Sequence, residues 1–113
     1  MAIALTDLKV LLVEDNKSAL ALMKMVLKGI RINQIYTAQD GRAALDFLEE
    51  APELVDFIVC DWQMPRMSGL ELLQEVRTVY PDMPFMMVTG KADMDSVNAA
   101  KEFAVDAYLT KPY

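Results

Sequence analysis

The chain has 113 residues, 54% hydrophobic and 25% charged, and its 11 basic and 17 acidic side chains leave a net charge of −6. That length fits one domain, the apolar content excludes disorder, and the negative balance argues against a surface that coats nucleic acid. A single cysteine, Cys60, and no histidine exclude an intrachain disulfide, a zinc cluster and Ser/His or Cys/His catalysis.

No apolar run is longer than Ala19 to Met23, far short of a membrane span. Asp7 interrupts the N-terminal apolar stretch, so no signal-peptide pattern opens the chain. A cytoplasmic domain is expected, with its chemistry drawn from carboxylates, hydroxyls and lysines.

In chain order, Lys9 to Val13 reads as a buried strand. Asn16 caps a helix over Lys17 to Leu27, with Leu20, Met23 and Leu27 on one face and Gly29 as its stop. Gln34 to Thr37 is a second, weaker strand. Asp40 caps a helix over Gly41 to Glu49, which Pro52 ends. Leu54 to Cys60 is the third strand, and a loop broken by Pro65 follows over Asp61 to Met67. Ser68 and Glu71 form a capping box for a helix over Gly69 to Val79, closed by Pro81. Pro84 to Val88 is the fourth strand, Asp93 to Phe103 the fourth helix, and Ala107 to Leu109 a short fifth strand. Strict alternation with short links implies parallel strands, right-handed crossovers and helices on both faces of the sheet. Met23, Met25, Met86 and Met87 read as core filler, Cys60 as an inert core thiol, and Met64 and Met67 as structural loop residues. Trp62 reads as cover for its loop.

Ligands in open α/β sheets bind beyond the carboxyl ends of the strands. Glu14-Asp15 follow strand one, Asp61 follows strand three, Thr89-Gly90 follow strand four and Lys111-Pro112 follow strand five. Each alone is an ordinary turn or helix start. Together they place three carboxylates, a hydroxyl and an ammonium on one edge of one sheet. Clustered carboxylates repel unless a cation neutralises them. Mg²⁺ takes one or two carboxylates plus phosphate and water, lysine and threonine suit phosphate oxygens, and a carboxylate can accept a phosphoryl group.

The words VLLVEDN at 10–16, DWQMPRMSGLELL at 61–73, VTG at 88–90 and AYLTKP at 107–112 resemble the receiver domain of two-component response regulators, in its chemotaxis-regulator-like form. The resemblance spans essentially the whole chain. It implies a flavodoxin-like, doubly wound parallel five-stranded sheet of order 2-1-3-4-5. It also implies roles. Asp61 would be the phosphoacceptor. Mg²⁺ would be held by Asp15 directly, by Glu14 through water, by Asp61 and by the backbone carbonyl of Gln63. Thr89 and Lys111 would contact the phosphoryl oxygens, and Tyr108 would be the aromatic switch. Gln63 and Lys91 would tune the rate of dephosphorylation. Lys111-Pro112 matches the family's cis peptide. The phosphodonor would be a sensor histidine kinase, a phosphotransfer protein or a small phosphodonor. The surface of the fourth helix and fifth strand would signal to a partner or output domain, with no nucleic acid or membrane bound by this domain.

Other classes fit less well. An aspartyl-nucleophile phosphatase of the haloacid-dehalogenase kind needs a second carboxylate two residues beyond the nucleophile, where this chain has Gln63, and a cap insertion. A flavin-binding module on this fold would want a hydroxyl- and glycine-rich loop after strand one, where this chain has Glu14-Asp15-Asn16. A receiver-like domain acting by binding alone would not need the full residue set. A turnover enzyme on external substrates is therefore not expected. The family pattern has a fifth helix after Lys111-Pro112, so by that pattern the domain over 1–113 is C-terminally incomplete. The apolar surface left exposed would favour a homodimer.

Overall fold

Five short apolar segments form the strands of one parallel sheet, in the order β2-β1-β3-β4-β5. The computed structural model describes residues 5–89, 98–101 and 105–110, with the backbone alone at 5, 89 and 108–110. The strands are β1 (Lys9–Val13), β2 (Gln34–Ala38), β3 (Phe57–Asp61), β4 (Phe85–Thr89) and β5 (Ala107–Thr110), and the helices between them are α1 (Lys17–Gly29), α2 (Gly41–Glu50) and α3 (Gly69–Val79). Residues 98–101 are helical, with Ala100 buried. The rest of the helix expected over 93–103 lies outside the described residues. Among those described, no helix is long and apolar enough to cross a membrane.

Strand alternation sorts the core into two layers. Leu11, Val13, Ile58 and Cys60 face Ala44 and Leu48 of α2 and Leu72, Leu73 and Val76 of α3. Val10, Leu12, Val59 and Val88 face Met23 of α1, with Leu20 and Leu27 packed beside it. Helices on both faces explain why these strands read as continuous apolar runs. The α1 layer leaves an apolar groove of about 210 Å³, lined among others by Leu12, Val26, Ile30, Phe57 and Val88.

At the amino edge, the carboxylates serve the backbone. Asp56 accepts from Lys9 N at 2.7 Å. Asp106 accepts from Phe85 N at 2.7 Å and pairs with Arg77 at 3.0 Å, while Arg77 also donates to Met83 O at 2.6 Å.

Several expected boundaries shift for identifiable reasons. The third strand starts at Phe57 and not at Leu54, because Pro52–Leu54 turn as a 3-10 helix. It then runs one residue further, into Asp61. The fourth strand starts at Phe85, after Pro84, which has no N–H for the ladder. Met25 is not core: it is 69% exposed, since two residues on from Met23 is a rotation of about 200° around the helix.

Gly29 does not stop α1 by a left-handed turn. Arg31 does, at φ 72°. Arg31 N donates to Lys28 O at 3.0 Å and Ile32 N to Leu27 O at 2.9 Å, the paired bonds of a Schellman motif, with buried Ile32 supplying its apolar contact. Glycine is the usual residue at this position, so Arg31→Gly is expected to stabilise the fold by about 0.5–1 kcal/mol. Urea unfolding of the two chains reads that gain; a loss would mean that the arginine side chain outweighs the backbone strain.

Candidate functional site

The carboxyl edge of the sheet is the reverse of the amino edge: its carboxylates converge on one another. Val13 registers with Cys60, and Asp61 with Val88. Glu14 N continues the ladder to Ala38 O at 3.1 Å, and Trp62 N does so to Val88 O at 3.2 Å. Both β1 and β3 therefore stay paired up to their acidic residues. Glu14 and Asp61 are the buried charged side chains among the described residues, at 2% and 6% exposure. Asp15 beside them is exposed. One carboxylate oxygen from each of Glu14, Asp15 and Asp61 lies within 4.8 Å of the others. These are hard oxygen donors only, a set suited to Mg²⁺ or Mn²⁺ and unsuited to soft metals.

Local structure holds the cluster. Asn16 caps α1 by accepting from Ala19 N at 2.9 Å, and Asn16 N donates to Glu14 Oε1 at 3.2 Å. The expected capping box is present: Ser68 Oγ accepts from Glu71 N at 3.2 Å and Glu71 Oε1 from Ser68 N at 3.1 Å. It fixes the start of α3 at the end of the loop that follows Asp61. Trp62, Met64 and Met67 of that loop are partly buried against the α2/α3 layer. Trp62, Gln63, Met64, Pro65 and Ser68 join Asp15 around an open cleft of about 430 Å³.

The other expected site residues are placed in part. Thr89 ends β4, opposite Thr110, and Tyr108 pairs with Met87. By backbone position Thr89 stands at the carboxyl edge and Tyr108 two residues short of it, the side chains of both lying outside the described residues. Lys91 and Lys111 lie outside the described residues. Gly69 escaped the sequence reading. Its N–H donates to Trp62 O at 2.7 Å, and a Cβ there would collide with the carbonyl oxygen of Asp61. A glycine at the first turn of a helix, straight after the loop that follows Asp61, is the signal that marks it.

Cys60 is buried beside the cluster and its Sγ donates to Asp61 O at 3.1 Å. Burial pushes its thiol well above the ordinary range, and Asp61 and Glu14 push it the same way. The thiolate is thus disfavoured in the fold. The unfolded chain ionises its thiol from about pH 8.5 upward, so stability linked to Cys60 is complete below that pH and declines as pH rises towards the folded value. In urea melts from about pH 7 to 10, Cys60→Ala is expected to show a shallower alkaline decline than the parent; equal slopes would contradict the shift.

The comparisons agree with this geometry. A family model described as the response regulator receiver domain matches residues 10–113. The chemotaxis protein CheY-3 of Vibrio cholerae is 32% identical, over 99% of this chain and 86% of its own. The solved structure of V. cholerae CheY4 aligns with a TM-score of 0.84 at 30% identity, over 94% of this chain and 88% of that one. Thermotoga maritima TrrA, solved in complex with Mg²⁺-BeF, aligns with a TM-score of 0.82 at 27% identity over the same shares. With the sheet order, the acidic edge and the family match in agreement, the chain belongs to the response regulator receiver domain family.

Proposed function

We propose that this receiver domain is a phosphorylation switch in which Asp61 takes a phosphoryl group from a sensor histidine kinase or phosphotransfer protein. The observation that carries this reading is the convergence of Glu14, Asp15 and Asp61 at the carboxyl edge of the sheet. The all-carboxylate donor set fits Mg²⁺, which would neutralise the cluster and the incoming phosphoryl charge. Asp15 and Asp61 would hold it directly, Glu14 through water and Gln63 through its carbonyl. The Mg²⁺-BeF complex of Thermotoga maritima TrrA supports this, because beryllofluoride stands in for a phosphoryl group.

An Asp61 carboxylate oxygen forms the new bond to phosphorus as the phosphorus–nitrogen bond of a phosphohistidine breaks, its electron pair leaving on the imidazole. The Thr89 hydroxyl and the Lys111 ammonium would then bind phosphoryl oxygens. Tyr108 would follow Thr89, and the surface of the fourth helix and fifth strand would change its affinity for a partner or output domain. Gln63 stands where a hydrolase would carry its acid/base carboxylate. The phosphoryl group is therefore retained as a signal, and the domain is not a turnover enzyme. Gln63 and Lys91 would set the lifetime of that signal. We place this switch in the cytoplasm, without nucleic acid or membrane as a direct ligand.

The experiment is incubation with acetyl phosphate and intact-mass measurement. One phosphoryl mass should appear with Mg²⁺, vanish with EDTA and be absent in Asp61→Ala. An adduct in Asp61→Ala, or steady release of phosphate from an ester, would contradict the reading. We also propose that the apolar groove beside α1 is a surface for homodimer formation. Sedimentation should give a dimer for the parent and a monomer for Val26→Lys; monomers in both would contradict this.

A further inference from the structure

The loop after Asp61 turns sharply before α3. Met67 N donates to Pro65 O at 2.7 Å, and Arg66 between them has φ 67°. This is a three-residue turn with its central residue in the left-handed region, a strained form for any residue with a Cβ. Glycine would meet no such strain, so an arginine here needs support from outside the turn. Its guanidinium reaches Asp40, with Nη2 at 3.3 Å from Oδ2. Asp40 is itself anchored, because its Oδ1 caps α2 by accepting from Ala43 N at 2.8 Å. The next loop residue is fastened to the same helix end. Met67 packs on Gly41 so closely that a Cβ at 41 would stand 2.5 Å from its Sδ and 3.0 Å from its Cβ. The loop is thus tied to the start of α2 at two successive residues. Pro65, the first residue of the strained turn, lines the same cleft as Asp15, Trp62 and Gln63.

We propose that Arg66 is a positioning residue: its ion pair with Asp40 holds the strained turn and so fixes the Trp62–Pro65 wall of the carboxylate site. The proposal rests on the reading of that site as a Mg²⁺-assisted phosphoacceptor. Arg66 is 82% exposed, and exposed pairs are weak, so the expected effect is about two- to fivefold.

The test uses the full chain and two readouts. Without metal, hydrogen exchange of the Met67 amide reports the turn. With Mg²⁺, Trp62 fluorescence reports cation affinity. Arg66→Ala, which keeps the strain and loses the pair, should exchange faster and bind Mg²⁺ more weakly by the same two- to fivefold. Arg66→Lys should restore both. Asp40→Asn, which keeps the cap, should match Arg66→Ala, and the double variant should be no worse than either single one. Unchanged Met67 exchange in Arg66→Ala, faster exchange with unaltered Mg²⁺ affinity, or additive single effects would each overturn the proposal. If the parent chain shows no Mg²⁺ response, the phosphoacceptor reading fails, and the metal-free exchange of Met67 still decides whether Arg66 holds the turn.

Discussion

Gly69→Ala is expected to lose about 1–3 kcal/mol of stability and to weaken Mg²⁺ binding in the same step. On helix propensity alone the sign would be opposite, since alanine is favoured over glycine by about 1 kcal/mol in a helix interior. The surroundings of Gly69 decide against propensity. A Cβ there would collide with the carbonyl oxygen of Asp61 and stand 2.9 Å from Trp62 Cα and from Met87 Sδ. The methionine sulfur can swing away. The two backbone atoms can move only by shifting the residue whose carboxylate belongs to the site. Urea unfolding and a Mg²⁺ titration on the same preparation read both effects. A chain that is more stable and binds Mg²⁺ unchanged would show that α3 and the loop after Asp61 can separate freely.

The second large effect lies in the cluster itself. Asp15 is exposed while Glu14 and Asp61 are buried, so Asp15 can be altered with little disturbance to packing. Asp15→Asn should change metal-free stability by less than about 0.5 kcal/mol, yet lower Mg²⁺ affinity by about tenfold. Ligand linkage turns that into a thermal signature. At a Mg²⁺ concentration a hundred times its dissociation constant, the parent gains about 2.7 kcal/mol, and the variant at the same concentration about 1.4 kcal/mol. Melting curves in Mg²⁺ and in EDTA measure the difference. Equal Mg²⁺ gains in both chains would place the cation elsewhere.

Much of this molecule is legible in the sequence. The capping box at Ser68 and Glu71, the caps at Asn16 and Asp40 and the strand Lys9–Val13 follow from local chemistry, and the structure carries them as read. The acidic edge was legible too, because a strand end fixes where Glu14 and Asp61 must stand. What escaped depends on contacts between distant segments. Nothing local singles out Asp56 or Asp106, and only the parallel ladder shows that they hold the N–H groups of Lys9 and Phe85. Arg31 and Arg66 carry left-handed backbone where glycine is the usual signal. Met25 reads as core filler alongside Met23, although helical rotation carries it away from Met23.

In the proposed switch Glu14, Asp15 and Asp61 act together with a cation, and Trp62 is the chain's only tryptophan. The most direct measurement is therefore Trp62 fluorescence during titration with beryllofluoride, with and without Mg²⁺, in the parent and in Asp61→Ala. The expected result is a saturable change in the parent that requires both Mg²⁺ and beryllofluoride and is absent in Asp61→Ala. A response of equal size without Mg²⁺, or one that survives in Asp61→Ala, would contradict a cation-dependent phosphoacceptor at this edge.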